Sequence, residues 1–220
     1  MKLFINTFKL LKYDFQKKFM IFGLLFFTCM TVGYSIGNAH GHNMPGAYFW
    51  GPFMGIFPLQ ALFNVLYSKY VVSSPKFKDY IIKGTVILHS AVMIFMYLLS
   101  VVFYYVLSKE KGFTFDLKAG VVSFILVAIG LAAYIQVYYR NAFLGMLCII
   151  PIMIVIMGTT DPTSKFMRFI HSLKFNDMQM LLIGVAGLAV CEVVLYVIAR
   201  LLYKVPFSDN TMKRMLSKVR

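Results

Sequence analysis

The chain has 220 residues, of which 60% are hydrophobic, 17% aromatic and only 14% charged. That balance excludes an ordinary soluble domain, in which about a quarter of residues are charged. The formal net charge of +14 sits on no soluble basic module of the kind a nucleic-acid partner needs, and suits cations held near anionic lipid headgroups instead.

A hydrocarbon core about 30 Å thick takes roughly 20 apolar residues as a helix. Six runs approach that length: Phe19–Gly37, Phe49–Ser68, Gly84–Leu107, Ala119–Tyr139, Ala142–Gly158 and Asp177–Ala199. The expected fold is an all-α polytopic membrane protein with six transmembrane helices and one transmembrane domain over 1–220. It divides into an interfacial helix (1–18), the spans (19–199) and a basic tail (200–220).

In residues 1–18, Phe4, Phe8, Leu11 and Phe15 recur at helical spacing, while Lys9, Lys12 and Gln16 fall on another face. This pattern predicts an amphipathic helix lying in the membrane interface. No small-residue cleavage site closes a short apolar region after it, so the first run is read as a retained span. That run carries Gly33 and Gly37, and the second carries Gly51 and Gly55; each GxxxG pair is a candidate contact between protomers. Between them, His40 and His42 have no nearby carboxylate or cysteine and read as a solvated turn rather than a metal site. Pro52, Pro58 and Pro151 are expected to kink or unwind their helices.

The stretch SSPKFKDYIIKG, Ser73 to Gly84, is a polar interruption between the second and third runs. Pro75 biases Ser74 away from helix, and either Ser73 or Ser74 can cap. Two turns from Lys76 onward would expose Phe77 and Tyr80 or Ile81 beside Lys76, Lys78 and Lys83. An aromatic knob ringed by cations suits a protein-docking surface; the competing reading is a loop anchored by its aromatics and lysines at lipid headgroups.

Lys and Arg distribution gives the orientation, because positive charge stays on the cytoplasmic side. With both termini inside, the inner segments hold five, four, one and six of the 22 cations. The outer loops hold six.

Within the spans, His89 is expected to make a polar contact to a neighbouring helix. Glu192 lies deep in the sixth run, where an acidic side chain must be paired, hydrated or neutral. Arg140 or Arg200 is the expected partner, with Gln136 and Tyr196 assisting, unless Glu192 faces a substrate. Cys29, Cys148 and Cys191 fall inside the runs and read as small apolar residues. Beyond the fifth run, Asp161-Pro162 reads as a helix start, with Phe166, Phe169, Ile170 and Leu173 facing the outer leaflet. The tail has a start signal at Ser208 to Asn210 and a face of Met212, Leu216 and Val219.

No G-x-S-x-G, H-E-x-x-H, C-x-x-C or phosphate-cradling loop occurs, so no enzyme activity, metal or bound cofactor is expected. Energy for active transport would come from another chain.

Together, the interfacial helix with LLKYDF (Leu10 to Phe15), six runs with both ends inside, the Ser74-Pro75 turn, KFKDYIIKG and the outer segment resemble the permeases of type 2 ATP-binding-cassette (ABC) exporters, over the whole length. The family often has an apolar residue where Ser74 stands and a Glu near Asp79. The resemblance implies a coupling segment of Ser73, Ser74, Pro75, Lys76, Phe77, Lys78, Asp79, Tyr80 and Lys83, assisted by Phe8, Leu11, Lys12, Asp14 and Phe15 of the interfacial helix. It further implies two ABC ATPase copies carrying ATP and Mg, a second permease chain of the same or a related sequence, and the bacterial cytoplasmic membrane. The cargo would be amphipathic or hydrophobic peptides, as in toxin exporters or lantibiotic immunity. Two other classes compete. The substrate-binding membrane subunit of an energy-coupling-factor importer is of similar size, but the Ala-x-x-x-Ala surface those subunits tend to show is missing from Phe19–Gly37. The other is an orphan membrane protein without an ATPase.

Overall fold

The computed structural model describes residues 2–13, 17–37, 50–67, 71, 73–107, 109, 116–160 and 163–205. Every regular element among them is helical. In chain order these are α1 (Lys2–Leu11), α2 (Lys17–Gly37), a 3-10 turn Gly51–Gly55 leading into α3 (Ile56–Leu66), and α4 (Thr85–Leu107), entered through a helical turn Phe77–Asp79 and a π turn Tyr80–Gly84. Then follow α5 (Leu117–Arg140), α6 (Ala142–Leu147), α7 (Ile149–Thr160), α8 (Lys165–Ser172) and α9 (Asp177–Leu202).

Three stretches are long and apolar enough to cross a membrane: Phe77–Val106, Leu117–Arg140 and Asp177–Leu202, with mean hydropathies of 2.3, 2.2 and 2.5. Gly51–Leu66 and Phe143–Gly158 form shorter apolar helices, as does Ile21–Met30 within α2. The prolines mark irregularities within two of them. Pro52 opens the 3-10 turn, where its missing N–H costs nothing, and Pro58 has no N–H to give to the Met54 carbonyl. The expected fifth run breaks at Cys148, between α6 and α7. Pro151 has no N–H for the Leu147 carbonyl and crowds it, which explains the break at that position.

Side chains fix the remaining ends. The Asp116 carboxylate accepts from Ala119 N at 3.1 Å and starts α5. Asn141 adopts an extended conformation, ends α5, and accepts from Phe143 N and Leu144 N to start α6. The α5–α6 hairpin is tight enough that a Cβ on Gly145 would stand 2.5 Å from Tyr138 Cα. Ser164 starts α8, accepting from Met167 N at 3.0 Å and donating to the Gly158 carbonyl at 2.6 Å. The expected start at Asp161-Pro162 lies outside the described residues. Asn176 and Gln179 form a reciprocal capping box at the head of α9.

Helix α5 is the axis of the bundle, packing on α9, α6, α7 and the 3-10 turn. One core cluster joins Met54, Met96, Tyr97, Phe124, Leu188 and Leu195; a second joins Leu59, Leu62, Phe63, Leu66, Ile81 and Ile135. Large apolar side chains including Phe22, Leu25, Phe95, Leu98, Ile154, Met157 and Leu182 point outward. That is the surface a lipid-facing bundle presents.

Three expectations about faces change. Gly51 and Gly55, read as candidates for a contact between protomers, are buried inside this chain, against Phe124 and Met96 and against Met93 and His89 respectively. Gly33 is exposed with open space beside it, and Gly37 ends α2. In α1 the inward face is Leu3, Asn6, Thr7, Leu10 and Leu11, with Thr7 fully buried; Phe4, Ile5 and Phe8 are exposed beside Lys9 and Lys12. The helix therefore has two apolar faces, one packed on the bundle and one outward. In α8, Met167 and Ile170 are the buried pair, and Phe169 is exposed. Asp14 and Phe15, His40 and His42, and the tail signals beyond Val205 lie outside the described residues.

Candidate functional site

Polar residues are sparse in so apolar a chain, and the first turns of α4 carry two buried polar layers one helical turn apart. The first is Thr85, directly after the π turn. Its hydroxyl lies 2.8 Å from the Ile81 carbonyl and 3.1 Å from that of Ile82, the back-bond a helical threonine makes to the preceding turn. Gln136 of α5 donates to the same hydroxyl at 3.3 Å. Just before this layer, Gly84 lets α1 seat against the helix, since a Cβ there would stand 3.2 Å from Thr7 Oγ1.

The second layer is His89. Its Nδ1 lies 2.8 Å from Oε1 of Glu192 on α9, with the imidazole 1% and the Glu192 side chain 17% exposed. Glu192 therefore meets His89, not Arg140 or Arg200. Cys191, also fully buried, lies beside the pair, and the donor atoms of the three residues are all within 4.8 Å of one another. His89 Nε2 and Glu192 Oε2 are buried without a hydrogen-bond partner. A Cβ on Gly55 would collide with Met93 Cε, so the glycine makes room for Met93, and the His89 ring lies beyond it in ordinary contact, with Cδ2 at 3.6 Å.

The other expected polar residues go elsewhere. Buried Arg140 donates from Nη1 to the Val205 carbonyl at 3.0 Å, at the junction of α5 with the end of α9. Tyr196 is exposed.

Near these ends the aromatics form one cluster. Phe63 stacks on Tyr139 at 4.7 Å, and the Tyr139 hydroxyl lies 3.0 Å from Asn64 Oδ1. Phe77 stands between Tyr67 (6.2 Å), just after α3, and Tyr203 (6.5 Å), just after α9, while the Lys78 ammonium lies 5.6 Å over the Tyr203 ring.

This corrects the expected exposed knob. Ile81 is buried, and Phe77 and Tyr80 are half-buried against the core; the outward groups are Ser73, Pro75, Lys76, Lys78, Asp79 and Lys83. Asp79 pairs with Lys83 at 3.1 Å on that surface. The Ser74 hydroxyl accepts from Lys76 N at 3.3 Å and its carbonyl from Phe77 N at 3.0 Å, which forms the turn at Pro75.

Sequence reasoning singled out His89 and Glu192 separately and missed that they pair. A signal was present: His89 lies five residues in from Gly84, and Glu192 seven residues back from Ala199, so both sit at similar depth from the same end. Comparison with known proteins adds nothing to this geometry, because no family model, curated protein or solved structure matches the chain.

Proposed function

We propose that the chain is the membrane-spanning permease subunit of a type 2 ABC exporter in the bacterial cytoplasmic membrane, with six spans and both termini on the cytoplasmic side. In this reading α2, the 3-10 turn with α3, and α6 with α7 complete the set begun by the three long helices. Two copies, or this chain and a related one, enclose the pathway, and amphipathic or hydrophobic peptides are the cargo the resemblance implies.

One observation carries the proposal: α1, the Ser73–Gly84 segment and the ends of α3 and α9 are joined mechanically. Thr7 seats α1 on Gly84, and Phe77 is wedged between Tyr67 and Tyr203. The outward side of the same segment is basic, through Lys76, Lys78 and Lys83. An ATPase docked on those lysines would move Phe77, and through it two helix ends at once. Docking and transmission are thus divided between the exposed lysines and the half-buried Phe77.

Co-expression with an ABC ATPase encoded beside this chain tests the reading. Wild type is expected to retain the ATPase through detergent purification, and the triple variant Lys76→Glu, Lys78→Glu, Lys83→Glu to lose it while staying monodisperse. Phe77→Ala is expected to keep the ATPase and lose transport-coupled hydrolysis. A wild-type chain that holds no ATPase overturns the proposal and puts the importer and orphan readings ahead.

A further inference from the structure

We propose that His89, Cys191 and Glu192 form a binding site for a borderline-soft divalent cation, zinc above all, that ties α4 to α9. The site is independent of the transport reading.

The donor set selects the metal. Imidazole nitrogen, thiolate sulfur and carboxylate oxygen are the three ligand types zinc accepts together, whereas magnesium and calcium take oxygen almost alone. All three donors already converge within 4.8 Å. Bond lengths of 2.0–2.3 Å place tetrahedral ligand atoms roughly 3.3–3.6 Å apart. The widest separation must therefore close by about 1 Å, within the reach of side-chain rotation. Three protein donors leave a fourth position for water or an anion.

A further observation points to a ligand. Buried polar groups nearly always find partners, yet His89 Nε2 and Glu192 Oε2 have none, on a ring only 1% exposed. On binding, the Cys191 thiol loses its proton to solvent and no redox change occurs.

The test uses the full chain purified in detergent and stripped with chelator, in a Cys29→Ser, Cys148→Ser background where Cys191 is the sole thiol. Cobalt(II), a spectroscopic stand-in for zinc, is titrated. The expected result is a thiolate-to-cobalt charge-transfer band that saturates at one ion per chain and disappears when zinc is added. Cys191→Ser should abolish the band, and Glu192→Gln, which keeps size and hydrogen-bonding capacity, should weaken binding at least tenfold. His89→Gln, which removes the imidazole donor, should weaken it to a similar extent. No stoichiometric band in the parent background overturns the proposal, as does a band that Glu192→Gln and His89→Gln both leave unchanged.

Discussion

The two polar layers of α4 lie four residues apart on one helix and differ in how they are closed. At Thr85 the hydroxyl is bonded to the carbonyls of its own helix and also receives Gln136. At His89 the single short bond to Glu192 leaves a nitrogen and an oxygen buried without partners. The first layer is a local fastening, in which the hydroxyl bonds back to its own helix and receives one side chain from α5. The second links two helices distant in sequence and keeps coordinating capacity in reserve. A closed polar layer therefore reads as structure and an open one as a site.

The largest effect that could break this contrast is removal of one member of the open pair. His89→Ala or Glu192→Ala leaves the other group buried alone, and each is expected to destabilise the protein by about 2–4 kcal/mol, read by unfolding in detergent with chelator present. In the closed layer, Thr85→Val removes the acceptor of the Gln136 amide. A loss of about 1–2 kcal/mol is expected in the same assay. Gln136→Leu should cost less than Thr85→Val, under about 1 kcal/mol, because Thr85 keeps its carbonyl partners; the reverse order would show that Gln136, not the helix backbone, holds the layer. The smallest effect belongs to the exposed Asp79–Lys83 pair, where Asp79→Ala should shift stability by no more than about 0.5 kcal/mol and less at high salt.

Much of the long helices was legible in the sequence, since apolar length is a local property. The run Ala119–Tyr139 corresponds to α5 at Leu117–Arg140, and Asp177–Ala199 to α9 at Asp177–Leu202. Helix character at Phe77 was expected, but not its direction. The π turn takes an extra residue per turn, so the phase of the periodicity in α4 does not carry back through Tyr80–Gly84, and Phe77 meets Tyr67 and Tyr203 instead of solvent. Prolines marked where helices are interrupted, yet hydropathy alone could not say that the second run would open as a 3-10 turn or that the fifth would break at Cys148. Likewise α5 and α9 have nearly equal hydropathy, and only packing makes α5 the axis of the bundle. The His89–Glu192 contact spans 103 positions, and no local pattern encodes a pairing of that range. Gly51 and Gly55 show the same limit, because a small residue admits a close neighbour without specifying whether that neighbour comes from its own chain.

A double-mutant cycle between His89 and Glu192, measured by unfolding in chelator, tests most directly whether the two residues act as one buried unit joining α4 to α9. The structure predicts that the variant carrying both His89→Ala and Glu192→Ala loses far less than the sum of the single losses, with a coupling of about 2 kcal/mol that exceeds the coupling between Thr85 and Gln136. Additive losses would contradict the pairing and remove the open layer on which the contrast and the metal site both stand.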